Sequence, residues 1–137
     1  AYNILNKEFG DCVILLHGRL MNQDRVKAEK ELDKKARVVV ATQVIESGFD
    51  LDSDLIITEV APPDSLIQRI GRVARKENTE GDAIIVNIED CAPYLHELID
   101  GTRKFLDEMY ESLSKALWDL EEASNFMNEV YSEDIVK

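Results

Sequence analysis

Cysteine is scarce: Cys12 and Cys91 stand 79 positions apart and form no C-x-x-C spacing. That favours buried free thiols in a reducing cytoplasm over a disulfide or a thiolate metal pair. Histidine is no richer. His17 and His96 are the only two, and no histidine–aspartate cluster accompanies them to hold a nuclease metal. No apolar run approaches the roughly 20 residues of a membrane span, and no signal peptide opens the chain, so no membrane partner is expected. The sequence also lacks G-x-x-x-x-G-K-[ST], the loop that cradles phosphates, and D-E-x-[DH], the acidic box that holds magnesium. By itself this chain is expected neither to bind ATP tightly nor to hydrolyse it.

What is present is one domain's worth of sequence, 137 residues, enough for one sizeable core. Apolar residues make up 45% and charged residues 32%, the profile of a soluble globular protein. The net charge of −12 is unevenly spread: residues 1–80 hold 12 Lys/Arg against 14 Asp/Glu, and residues 81–137 hold 4 against 14. Such acidity argues against nonspecific nucleic-acid adhesion by the later part and leaves room for a locally basic groove in the first.

Tyr2, Leu5 and Phe9 repeat at helical spacing up to Gly10, a natural helix stop. Cys12–His17, Val38–Thr42, Leu55–Val60 and Ala83–Ile88 are short apolar runs without polar alternation. They read as strands covered on both faces, as in a parallel sheet. A helix over about Gln23–Lys35, capped by Asn22, and another after Asp64 complete an α/β alternation. Beyond Pro93, Leu95, Leu98, Ile99, Phe105, Leu106, Met109, Leu113, Leu117 and Leu120 recur at steps of three and four among Glu and Asp, an amphipathic helix or two. A last helix is expected over about Leu120–Tyr131. The chain starts at Ala1 inside a helical pattern with no strand before it, so a longer parent and a missing first strand are expected.

The chemistry concentrates in Asp64–Arg75, D-S-L-I-Q-R-I-G-R-V-A-R, where Asp64 or Ser65 is a candidate helix cap. At about 100° per residue, Leu66, Ile67, Ile70 and Val73 share one side, while Gln68, Arg69, Arg72 and Arg75 share the other. Like charges at these spacings repel, so an anionic partner is called for, and phosphate matches guanidinium geometry. An ordinary solvated face with a Ser65–Gln68 capping box is the plainer alternative. Against it stands Gly71, since glycine inside a helix costs about 1 kcal/mol relative to alanine unless something approaches closely there.

Q-R-I-G-R-V-A-R resembles motif VI of superfamily 2 helicases, Q-R-x-G-R-x-x-R, at every defining position. The resemblance implies that Arg72 and Arg75 reach the γ-phosphate as arginine fingers. It implies too that Arg69 organises the interface between the two motor domains and that Gln68 faces the nucleotide. Val38–Asp50, V-V-V-A-T-Q-V-I-E-S-G-F-D, resembles motif V; Thr42 would contact the nucleic-acid backbone, with Gly48 and Asp50 linking it to the nucleotide site. A threonine closing a turn and a glycine stopping a helix are the plain alternatives. His17-Gly18-Arg19, with Arg25 eight residues past the histidine, resembles motif IVa, and implies backbone phosphate contacts from Gly18, Arg19 and Arg25 at a helix N-terminus. A strand-end histidine and a surface arginine would look the same.

The continuous stretch from Ala41 to Arg72 resembles the CRISPR-associated helicase–nuclease of type I interference, in which Gln43, Glu46, Asp52, Asp54, Glu59 and Ala61-Pro62 before Asp64-Ser65-Leu66 recur together. Ala92-Pro93-Tyr94 and the acidic helices ending near Tyr131 are similar as well. The fold implied is α/β: a RecA-like parallel sheet flanked by helices and lacking its first strand, followed by C-terminal acidic helices. Residues 1–90 would form part of the second RecA-like motor domain, with motifs IVa, V and VI, and residues 91–137 an acidic helical extension. Also implied are ATP with Mg2+, bound mainly by a first motor domain in cis, single-stranded DNA, a nuclease domain and a CRISPR effector complex. Three readings stay open from the residues themselves: a DNA-tracking motor half, the motor half of an RNA or repair helicase, and a non-catalytic module whose arginines dock an acidic partner.

Overall fold

Val, Ile and Leu side chains fit a pleated surface, and all four apolar runs are extended. The computed structural model describes residues 1–19, 22–35, 38–46, 51–73, 80–109 and 120–131. In chain order these form α1 (Tyr2–Phe9), a 3-10 turn (Gly10–Cys12), β1 (Val13–Leu16), α2 (Asn22–Lys35), β2 (Val38–Ala41) and a second 3-10 turn (Gln43–Glu46). Then come β3 (Leu55–Glu59), α3 (Pro63–Ile70), β4 (Asp82–Val86), α4 (His96–Met109) and α5 (Leu120–Val130). The chain divides into two compact units, Ala1–Leu51 and Asp52–Lys137, and each holds one parallel strand pair.

In the first unit Val13 pairs with Val38 and Leu16 with Ala41, and a bond from the Thr42 amide to the Leu16 carbonyl carries the ladder one residue further. A crossover helix must join two parallel neighbours, and α2 does so. Its Ala28 and Leu32 pack with Ile14, Leu16, Val39, Ala41, Val44 and Leu51. Helix α1 ends at Gly10, as its periodicity predicts, but buries no residue, and Ile4 and Phe9 are exposed.

In the second unit Leu55 to Glu59 pair with Asp82 to Val86. Ile56 and Ile85 face a core formed by Ala61, Leu66 and Ile70 with Phe105, Phe126 and Val130. A neighbouring cluster of Val60, Cys91 and Ile99 adjoins it through Ile85, Tyr94 and Leu106. The rings of Phe105 and Phe126 stack with centroids 4.3 Å apart. Helices α4 and α5 approach closely at Gly101, where a Cβ would stand 3.2 Å from Val130 Cγ1.

Four expectations are corrected. Among the described residues, strands β3 and β4 are covered on one face only. Their other face leaves Leu55, Ile57, Ile84 and Val86 exposed, because the core of this unit lies on the side of Ile56 and Ile85. Leu95 is 63% exposed, since α4 starts only at His96. Neither Asp64 nor Ser65 caps α3: Pro62 is the N-cap, without a side-chain bond, and Pro63 opens the helix, where a missing amide proton costs nothing. Both cysteines are free, but Cys12 is only half-buried where Cys91 is buried. Met109, Leu113, Leu117 and Leu120 lie outside the described side chains. No helix among the described residues is long and apolar enough to cross a membrane.

Thr102 is fully buried on α4, and its Oγ1 has no hydrogen-bond partner among the described residues. An unsatisfied buried hydroxyl costs about 1–3 kcal/mol. Thr102→Val keeps the branched shape and removes that cost, so it should raise stability by about 1 kcal/mol in urea unfolding.

Candidate functional site

Helix α3 is short and strongly two-sided. Leu66, Ile70 and the following Val73 are buried, and Gln68 is exposed. The apolar side foreseen from the 3.6-residue period is present, with Gln68 opposite it, but Arg69 leaves the polar side for Thr58 and Tyr94, and the helix stops at Ile70 rather than running to Arg75. Gly71 sits at its end, where its amide bonds to the Ile67 carbonyl. A Cβ there would stand 3.0 Å from that same carbonyl oxygen, so the last turn of its own helix crowds the glycine.

Beyond Gly71 the chain folds back against the start of β3. Ser53 forms a parallel bridge with Val73, and both its amide, at 2.9 Å, and its hydroxyl, at 3.1 Å, donate to the Arg72 carbonyl. Two donors on one carbonyl fix the peptide from which the half-exposed Arg72 side chain departs. Arg75, Gly48 and Asp50 lie outside the described residues.

Arg69 turns inward. Its Nη1 donates to Thr58 Oγ1 on β3 at 3.0 Å, and its Nη2 donates to the Tyr94 hydroxyl at 2.9 Å. At the other end of α3, the Tyr131 hydroxyl donates to Asp64 Oδ1 at 2.5 Å. The sequence points to neither Ser53 nor Thr58, and it marks Tyr94 only within a family-like Ala-Pro-Tyr and Tyr131 only as a helix end, with no tie from either to α3. Tyr131 and Asp64 are separated by 67 positions, and no local periodicity pairs residues so distant.

In the first unit the parallel register brings other predicted residues to one edge. His17-Gly18-Arg19 follows β1 and Thr42 follows β2, side by side at the C-terminal ends of two strands. Open α/β sheets receive ligands at such edges. The Arg19 amide donates to His17 Nδ1 at 3.2 Å, forming a tight turn. Gly18, Arg19 and Thr42 are exposed, and a Cβ at Gly18 would meet nothing within 4 Å. Arg25 belongs to the first turn of α2, and its side chain lies outside the described residues.

The structure of T. fusca Cas3 with ATP superposes with a TM-score of 0.77 at 24% identity, over 98% of this chain and 19% of that one. The C-terminal domain of the DEAD-box protein Dbp5 superposes at 0.57 with 19% identity, over 93% of this chain and 73% of that one. These likenesses make the fold RecA-like. Residues 1–78 match the family model of the C-terminal region of the CRISPR-associated nuclease/helicase Cas3. A Cas3 from Methanothermobacter thermautotrophicus is 33% identical over 90% of this chain, and one from Thermoproteus tenax 32% over 90%. The chain belongs to the Cas3 C-terminal family. It spans 16% and 22% of the lengths of those two relatives.

Burial first, then the bond to Asp64 and the negative charge of that carboxylate, push the Tyr131 phenol well above its ordinary 10.0. Folding therefore favours the neutral phenol. The stabilisation it brings is complete below pH 10 and is lost as pH climbs through the raised value of the folded state. An alkaline titration followed by tyrosinate absorbance should show a late step from Tyr131, and Tyr131→Phe should remove it.

Proposed function

We propose that this chain is the C-terminal motor domain of an ATP-dependent superfamily 2 DNA helicase, the CRISPR-associated helicase–nuclease that unwinds and translocates on target DNA during antiviral interference. The observation that carries the reading is Gln68-Arg69-Ile70-Gly71-Arg72 at the end of a helix whose Leu66 and Ile70 are buried in the core, with Arg75 completing the Q-R-x-G-R-x-x-R signature in the sequence. In this reading residues 1–90 belong to the second RecA-like domain and residues 91–137 form an acidic helical extension. The protein works in the cytoplasm with single-stranded DNA, a first RecA-like domain, a nuclease domain and a CRISPR effector complex.

ATP with Mg2+ supplies the phosphoryl group and is held mainly by the first motor domain. Arg72 and Arg75 stabilise the charge of the transferring phosphoryl group, with Gln68, Arg69, Gly48 and Asp50 shaping this side of the nucleotide site. Arginines supplied in this way accelerate phosphoryl transfer by about 10³–10⁵, roughly 4–7 kcal/mol of transition-state stabilisation. Fingers on a separate domain make hydrolysis depend on domain closure, which a motor requires. Thr42, Gly18 and Arg19 at the strand edge, with Arg25 on α2, hold the strand's phosphates.

In the full-length protein, Arg72→Ala should lower DNA-stimulated ATP turnover by about 10³-fold while nucleotide binding persists. Turnover kept at the parental rate would sink the motor reading in favour of a docking module. Arg19→Ala should weaken single-stranded DNA binding alike on all sequences, and reduce the slope of log affinity against log salt by about one. RNA competing as well as DNA would reassign the substrate.

A further inference from the structure

Helix α3 spans eight residues, too few to be stable alone, so its position is set by what it is tied to. The ties come from the segment after β4. Tyr94, in the turn before α4, accepts from Arg69 in the last turn of α3, and Tyr131, just after α5, donates to Asp64 in the first. Between these two points Leu66 and Ile70 share one core with Phe105, Phe126 and Val130. The sheet adds the Thr58 bond to Arg69 and the Ser53 bonds to the Arg72 carbonyl.

We propose that Tyr94 and Tyr131 are positioning residues, which hold α3 by its two ends and set the reach of Arg72 for phosphoryl transfer. The C-terminal helices thereby become the seat of the arginine helix and not an appendage to it. This rests on the motor reading above. Each tyrosine acts through another side chain, Tyr94 through Arg69 and Tyr131 through Asp64. The acceptor on Tyr94 matters because Arg69 forks between Thr58 and Tyr94, so each of the two bonds helps to hold the helix end that carries the guanidinium. The donor on Tyr131 matters because Asp64 stands one residue past Pro63, where a shift of the first turn tilts the whole short helix.

The test uses the full-length protein with ATP and single-stranded DNA, and compares Tyr94→Phe, Tyr131→Phe and Asp64→Ala with Arg72→Ala. The Phe variants keep the rings that pack and remove only the hydroxyls. Each should lower kcat by about three- to tenfold, the effect of one hydrogen bond. KM for ATP should stay within about twofold, because the loss falls on the transition state. Asp64→Asn, whose amide oxygen still accepts from Tyr131, should recover most of what Asp64→Ala loses. Combined with Arg72→Ala, neither Phe variant should lower turnover further. Unchanged kcat in both Phe variants, or losses that multiply fully with that of Arg72→Ala, would overturn the proposal while leaving the motor reading intact. Parental turnover in Arg72→Ala alone would overturn the reading beneath it.

Discussion

The burial of Leu66 and Ile70 against Phe105, Phe126 and Val130 is the contact on which the second unit depends. A helix as short as α3 has little stability of its own. Burying each of these side chains contributes about 1.5–3 kcal/mol, which outweighs the cost of collecting cationic residues on the opposite side. The same contact fixes which way those cations point. With Leu66 and Ile70 committed inward, the helical period leaves Gln68 in solvent and starts Arg69 on a path along the sheet surface, where Thr58 and Tyr94 receive it.

Sequence patterning reached the strands, their parallel sense and the two-sided character of α3, because each rests on neighbours within a few residues. It missed the ends of α3. A period of 3.6 continues through Gly71 to Arg75 on paper, but the carbonyl of Ile67 and the two bonds from Ser53 turn the chain at Gly71 and Arg72. Capping went wrong for a related reason. Asp64 has the chemistry of a cap, yet two prolines start the helix ahead of it and release its carboxylate to a tyrosine 67 positions away. The polar ties of the site join Ser53, Thr58, Tyr94 and Tyr131 to α3 across the fold, and only tertiary structure reveals them.

Motif-like residues of the first unit obey a simpler logic. A parallel register places the residues that follow two neighbouring strands at one edge, whatever their identity, so Arg19 and Thr42 are brought together by the ladder from Val13 to Ala41. Their exposure follows from position alone, since the turn after a strand leaves the sheet's core.

The uncovered face of β3 and β4 carries a consequence of a different kind. Leu55, Ile57, Ile84 and Val86 form an apolar strip on a parallel pair, an arrangement that water tolerates poorly and that sheets of this class ordinarily bury on both sides. Covering those four side chains would release the water that solvates them, and that release is where the free energy of any contact on this face would come from.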